Sequence, residues 1–157
     1  MTALDLIEKY LRDNGIDFEK SNEKSFFITL TGEKKLQTHC ALTVGKYSLS
    51  ASAFVIRKPD ENAEVVLRWC MEKNASLPGI AFAANSLGDL YLVGKLPISA
   101  LTEKTLDHLI GAIASTSDAA FNPLLEIGFA NAIRREWAWR LSRGESLANL
   151  EAFTHLI

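Results

Sequence analysis

Histidine side chains are the first candidates for acid–base or metal chemistry in this sequence. A catalytic or metal site needs two or three such groups at a spacing that brings them to one point. None of the three histidines, His39, His108 and His155, has a second histidine or a cysteine at metal-ligand spacing. No nucleophile-elbow or phosphate-loop motif occurs either. We therefore predict no catalytic residue, no metal site and no cofactor.

Carboxylates and thiols are the next groups that could do chemistry. Asp60, Glu61 and Glu64 form an acidic cluster. They fall in the first turn of a predicted helix, where carboxylates interact favourably with the helix dipole, so we interpret them as a helix start. The two cysteines, Cys40 and Cys70, fit neither a disulfide scaffold nor a metal knuckle. We expect both to be reduced, buried thiols.

Arginines and tryptophans are interleaved in residues 134–140. One interpretation packs Trp137 into the core and leaves the arginines over a solvated face. A second is a protein interface, where tryptophan and arginine are enriched at hot spots. A third is a stacking platform for single-stranded nucleic acid. Trp139 bears on these interpretations, because it lies on a different side of the predicted helix from Trp137. A helix that is apolar on two sides needs two packing partners.

Size and charge narrow the class of protein. The chain has 157 residues, 48% of them hydrophobic, which is enough for one well-buried core. A net charge of −2 disfavours a general nucleic-acid binder. No apolar run approaches the ~18 residues of a membrane span, and the first residues lack a basic start. We therefore expect a cytoplasmic protein without a membrane partner.

Hydrophobic periodicity predicts a helix over residues 2–14, then strands over 26–30, 36–44 and 47–55. A helix from residue 60 to 74, two short strands at 80–84 and 90–93, and a helix from residue 102 follow. This order predicts a two-layer α+β fold, a five-stranded antiparallel sheet with helices on one face. Ser48, Ser50 and Ser52 lie opposite an apolar row, so we expect the sheet face at Ser50 to contact a partner.

The end of the chain predicts a long helical extension. Residues 115–118 form a polar break, after which Asn122 as cap and Pro123 at the first position predict a helix to about residue 142. At 1.5 Å per residue, this helix would be roughly 30 Å long. We expect residues 1–118 to form one domain and residues 119–157 an extension packed on it or on a dimer partner. The predicted apolar stripe is Leu125, Phe129, Ile133, Trp137 and Leu141.

Several local patterns occur in the same order as the elements. They are the opening helix with Tyr10 and Gly15, residues 69–74 at the end of the second helix, residues 96–103, and residues 121–129. Together they resemble the YbjN family, bacterial proteins whose fold is similar to that of type III secretion chaperones. The resemblance implies a chaperone-like or adaptor protein, often a homodimer, without enzymatic residues. Members of this family are called sensory transduction regulators, and residues 137–144 extend past a minimal secretion chaperone.

We therefore expect a non-enzymatic, homodimeric protein-binding module that also binds a second protein. The alternative is a nucleic-acid-associated regulator that uses the Arg/Trp-rich final helix, and its binding would weaken steeply with salt. The predicted protein-interface residues are Ser50, Trp69, Phe129, Ile133, Arg134, Arg135, Trp137, Trp139 and Arg140.

Overall fold

The computed structural model describes residues 1–157, in which four strands follow the first helix, two follow the second, and two helices follow those strands. Two short 3-10 segments, Ile98–Ala100 and Ala148–Leu156, connect and end the regular elements. In chain order, the elements are α1 (Ala3–Asp13), β1 (Asp17–Asn22), β2 (Ser25–Thr31), β3 (Gln37–Val44), β4 (Ser48–Ile56), α2 (Ala63–Asn74), β5 (Ile80–Ala84), β6 (Leu90–Pro97), α3 (Glu103–Gly128) and α4 (Ala130–Arg143).

The strands form one sheet in the order β1-β2-β3-β4-β6-β5, with every neighbouring pair antiparallel. The sheet has six strands, so the prediction of five was wrong. The missing strand is β1, which pairs with β2 from Asp17↔Thr29 onward. Five of its six residues are exposed and only Phe18 is half-buried. Strand periodicity cannot reveal such a strand, because it has no alternating apolar residues.

One hydrophobic core lies between the sheet and the helices. It joins 26 buried residues from α1, α2, α3 and the inward side of all the strands except β1. Capping boxes start both helices that contribute most to it: Thr2 with Asp5 for α1, and Thr102 with Thr105 for α3. The α+β architecture with an antiparallel sheet and helices is therefore confirmed.

Helix α3 continues through the predicted polar break at residues 115–118. The Ser117 side chain is fully buried and its hydroxyl lies 2.9 Å from that of Thr38 on β3. The Asp118 carboxylate accepts the backbone N–H groups of Lys34 and Lys35 at 2.8 and 3.0 Å. The predicted break was wrong, because Ser117 bonds to β3 and Asp118 binds the β2–β3 connection, so neither residue ends the helix. Although α3 has 26 residues, no helix here is long and apolar enough to cross a membrane.

The predicted single helix over residues 122–142 is also wrong. Pro123 lies inside α3, and the backbone turns at Phe129 (φ −140°) before α4 begins. The Gly128 carbonyl accepts the backbone N–H groups of Asp60 and Glu61, so the end of α3 is tied to the connection before α2. The division between residues 1–118 and 119–157 falls inside α3 and stays a prediction.

The apolar stripe of the predicted helix is only partly buried. Phe129 and Ile133 are buried, Leu125 and Trp137 are half-buried, and Leu141 is 63% exposed. The C-terminal segment covers part of α4, with Phe153 buried. The last turn of α4 therefore projects beyond the core.

Replacing Asp118 by asparagine is expected to lower the free energy of unfolding by about 1 kcal/mol at neutral pH, because a charged acceptor is lost. Burial acts to raise the pKa of Asp118, but the backbone N–H groups of Lys35, Lys34 and Glu33 outweigh it and lower that pKa. A lowered pKa stabilises the fold above the ordinary value of about 3.9, and this contribution is lost as pH falls through the folded-state pKa.

Urea titrations of the parent and Asp118→Asn should therefore differ near neutral pH and converge below about pH 4. Asp13→Asn is the matched control, because Asp13 makes only an exposed ion pair with Lys9. A difference that persists unchanged in acid would contradict the role of the carboxylate charge.

Both thiols are free and buried, as predicted, and are expected to be unreactive in the folded protein. Burial raises the pKa of Cys40 to about 12, although a backbone hydrogen bond from Ser52 opposes it, and raises that of Cys70 to about 11. Since the thiolate is the nucleophile, Ellman's reagent should label neither cysteine at neutral pH and both in concentrated guanidinium chloride. Rapid labelling of the native protein would show that these thiols are accessible.

Candidate functional site

The side of the sheet that faces away from the helices is uncovered. Along β4, the residues from Leu49 to Val55 alternate between buried and accessible positions, and Ser50, Ser52 and Phe54 point outward. The other central strands alternate in the same way, and their outward residues are half-buried or exposed. We call this surface the open face. Its residues are Phe27, Thr29, His39, Ala41, Thr43, Ser50, Ser52, Phe54, Ala81, Ala83, Tyr91, Val93 and Lys95.

Small side chains form a row across the middle of the open face. The strand register aligns Ala81 with Val93, Val93 with Ser52, Ser52 with Ala41, and Ala41 with Phe27. All but Phe27 are half-buried, and Phe27 is 55% exposed. Because alanine, serine and valine have short side chains, another backbone or helix can approach this row closely.

An aromatic pair stands beside this row. Phe54 and Tyr91 are register partners whose rings meet edge to face, with centroids 5.6 Å apart. The opposite margin is polar, because Ser50 lies between Thr43 and Lys95. The pair Thr29 and His39 adds polar groups on β2 and β3. The open face therefore has a row of small side chains, an aromatic pair beside it and polar groups around them. This arrangement provides contact area and hydrogen-bonding groups.

The outer edge of β5 is blocked by a side chain. The Asn74 amide accepts the backbone N–H of Phe82 at 2.7 Å and donates to the Phe82 carbonyl at 3.2 Å. It occupies the two groups that an added strand would use, which is one way to prevent pairing at a sheet edge. The opposite edge strand, β1, carries Asp17, Glu19 and Lys20 in exposed positions.

Helix α2 exposes a second apolar surface that sequence reasoning missed. Val65, Leu67 and Met71 are 52%, 46% and 70% exposed, whereas Val66 and Cys70 face the core. The sequence signal was available for Leu67 and Met71, which lie four positions apart on a different side from Val66 and Cys70. Val65 lies about 160° around the helix from Leu67, so it is exposed on a separate side. Large apolar side chains on two sides of one helix indicate two contacts.

The predicted interface residues lie in separate places. Ser50 lies on the open face. Trp69 is half-buried and packs edge to face against Phe82, with ring centroids 5.8 Å apart. Phe129 and Ile133 are buried within this chain.

On α4, Trp139 keeps 50% of its surface exposed, and the Arg143 guanidinium lies 5.0 Å from its ring centroid. The exposed members of the predicted set are Arg134, Arg135 and Trp139, and the half-buried members are Ser50, Trp69, Trp137 and Arg140.

The arginines of α4 mostly bind groups of their own chain. Arg134 donates to the Leu156 carbonyl at 2.6 Å, and Arg140 donates to Glu136 and to the Ser146 carbonyl. Arg135 is exposed. The helix therefore does not present a row of free cations that would track a phosphate backbone.

The three histidines are dispersed. His39 lies 3.3 Å from the Thr29 hydroxyl on the sheet, and His155 lies 3.1 Å from Glu126. His108 lines an open pocket of about 630 Å³ beside Asp107, whose carboxylate accepts the Tyr10 hydroxyl at 2.6 Å. No group of three or more His, Cys, Asp or Glu side chains could hold a metal.

Solved structures with the same fold include proteins of bacterial secretion and regulation. A chain of the ExoU–SpcU heterodimeric complex, from the type III secretion system of Pseudomonas aeruginosa, superposes with a TM-score of 0.56 at 19% identity. The match covers 76% of this chain and 98% of that one. YbjN, described as a putative transcription regulator from E. coli, superposes with a TM-score of 0.54 at 15% identity, covering 83% and 92%.

Sequence similarity identifies the family. An uncharacterized protein of Mycobacterium tuberculosis is 47% identical over 132 residues, covering 84% of this chain and 72% of that protein. The YbjN family, described as "Putative bacterial sensory transduction regulator", matches residues 3–126. The resemblance inferred from the sequence is thus confirmed, and the chain belongs to the YbjN family.

Proposed function

We propose that this protein is a non-enzymatic, chaperone-like or regulatory protein that acts as a homodimer in the cytoplasm and binds a segment of a second protein on its open face. The observation that carries the proposal is the presence of apolar and aromatic side chains on the central strands of that face. A solvated face of an antiparallel sheet is ordinarily polar. Here Ala41 and Val93 flank Ser52 on the central strands, beside the rings of Phe54 and Tyr91.

The hydroxyl groups of the open face, one at its margin and one in its middle row, support a protein partner over a lipid or a second apolar layer. Ser50 and Ser52 on β4 are half-buried, and their hydroxyls can bond to a partner's backbone or side chains. Such a mixed surface resembles a protein interface, with an apolar core and a polar rim. The fold neighbours support the same class, since ExoU–SpcU is a heterodimeric complex.

We propose a non-enzymatic protein because its reactive side chains are dispersed. His39, His108 and His155 lie on β3, α3 and the C-terminal segment. Burial raises the pKa of both thiols, so neither is an activated nucleophile. Two free buried cysteines also suit a reducing compartment, which supports the cytoplasm.

Two exposed apolar surfaces outside the open face support a homodimer. On α4, Trp139 is half-exposed and is not buried by the C-terminal segment. On α2, Leu67 and Met71 stand one turn apart. We propose that Trp139 contributes to the dimer contact, because a two-fold axis uses the same patch twice.

Ser50→Lys is expected to reduce binding of the partner without unfolding the chain. The substitution places a long charged side chain on the open face, beside Lys95 in the register. Affinity capture from cells, followed by quantitative mass spectrometry, measures the loss. Ser86→Lys is the matched control, because Ser86 is exposed in the β5–β6 connection. Equal capture by both variants would exclude the open face as the binding surface.

Trp139→Ala is expected to weaken the homodimer by at least about 30-fold, since burying a large aromatic contributes on the order of 2 kcal/mol. Sedimentation velocity across a concentration series measures the change. Met71→Glu is the comparison variant for the α2 surface. If Met71→Glu dissociates the dimer and Trp139→Ala does not, the dimer uses α2 instead. A monomeric parent protein would refute the homodimer.

A further inference from the structure

The sheet divides near the end of β4 and leaves a gap between β3 and β4. The two strands pair only from Val44↔Leu49 to Cys40↔Ala53. Beyond that pair, β3 stays with β2 as far as Gln37, and β4 stays with β6 as far as Ile56. Residues 54–56 of β4 therefore have no strand neighbour on the β3 side. This short strand edge can hydrogen-bond an extended segment.

A groove of about 380 Å³ lies along this gap, and six of its eight lining residues are hydrophobic. Helix α3 forms one wall with Phe121 and Leu125, and Phe129 follows at the end of that helix. Phe54 lines the groove and also belongs to the open face, so the two surfaces are continuous. We call this site the Lys35 groove.

Lys35 is an uncompensated charge in this apolar site. Its ammonium lies 5.1 Å from the Phe121 ring centroid and 6.0 Å from that of Phe54. The protein has eight ion pairs, and Lys35 belongs to none of them. Burial lowers the pKa of Lys35, so its charged form is partly desolvated without a counter-ion.

The second cation of the groove is already neutralised. Arg57 donates to both carboxylate oxygens of Asp60, at 2.7 and 3.2 Å, and its guanidinium lies 4.5 Å from the Phe129 ring centroid. Lys35 is therefore the cation that lacks a partner. The backbone from which this side chain extends is held by the Asp118 carboxylate, which accepts the Lys35 N–H at 3.0 Å.

We propose that the Lys35 groove binds an extended segment of a partner protein that carries a large apolar side chain and a carboxylate two positions apart. Alternate residues of an extended chain point to the same side, so both groups would face the groove. The apolar side chain packs among the phenylalanine rings, the carboxylate pairs with Lys35, and the backbone bonds to the free edge of β4. The inference rests on the proposed function, because it names the chemistry of the partner segment.

Nitrogen-15 NMR titrations with defined peptides test the inference. The probes are acetyl-Ser-Phe-Thr-Glu-Thr-Ser-amide and the same peptide with glutamine in place of glutamate. The glutamate peptide is expected to shift the backbone amides of Lys35 and residues 54–57 and to bind at least about tenfold more tightly than the glutamine peptide. Equal affinities, or shifts located elsewhere on the protein, would overturn the proposal.

Variants of the protein assign the preference to one side chain. Lys35→Gln should abolish the difference between the two peptides, whereas Lys35→Arg should keep it. Lys34→Gln is the matched control, since Lys34 shares the contact with Asp118 and lies outside the groove. A glutamate preference that survives in Lys35→Gln would overturn the role of Lys35. Octanoate binding in the groove more tightly than the glutamate peptide would overturn a protein segment as the occupant.

This experiment fails separately from the test of the proposed function. If the peptide preference is absent but capture of the partner still depends on Ser50, only the proposal for the Lys35 groove is rejected. If Ser50→Lys leaves capture unchanged, the open face is rejected as the binding surface, whichever peptide binds more tightly.

Discussion

A sheet has two faces, and the helices of this chain cover only one of them. Once α1, α2 and α3 have buried the inward side chains, the outward side chains of β2 to β6 are not buried beneath a helix. Strand β4 alternates accordingly: Leu49, Ala51 and Ala53 face the core, whereas Ser50 and Ser52 face outward. The residues beyond β4 do not make the face fully polar, because Val93 and Tyr91 on β6 also point outward. The physical consequence is a surface suited to contact with another chain.

The attachment of α3 to the β2–β3 connection shapes the other half of the site. Gly32 comes so close to this helix that an added Cβ would lie 2.6 Å from an Asp118 carboxylate oxygen. Asp118 in turn holds Lys34 and Lys35 by their backbone N–H groups. The same contact thus anchors the helix, requires a glycine in the connection and places the Lys35 side chain over the ring of Phe121. Stability and the proposed recognition site depend on one set of hydrogen bonds.

The parts of the fold that could be predicted are those that depend on residues close together in the sequence. The helices predicted over residues 2–14 and from residue 102 begin there, and the serine–alanine alternation of β4 placed Ser50 on the outward face. The failures involve contacts between distant residues. Ser117 and Asp118 looked like a helix break because their partners lie 79 to 84 positions away.

Two further features were missed for the same kind of reason. Strand β1 has almost no buried residue, so its pairing with β2 leaves no periodic signal. The Lys35 groove depends on where β3 and β4 separate, and register is not visible in one strand alone.

Site-specific photo-cross-linking in cells tests the central claim most directly. A benzoylphenylalanine introduced at Ser52 lies in the middle of the open face, and one introduced at Ser86 lies on an exposed connection away from it. If the open face binds a partner, the probe at position 52 should form a covalent adduct with a second protein and the probe at position 86 should not. Absence of an adduct at position 52, or the same adduct from both positions, would contradict the assignment of this face.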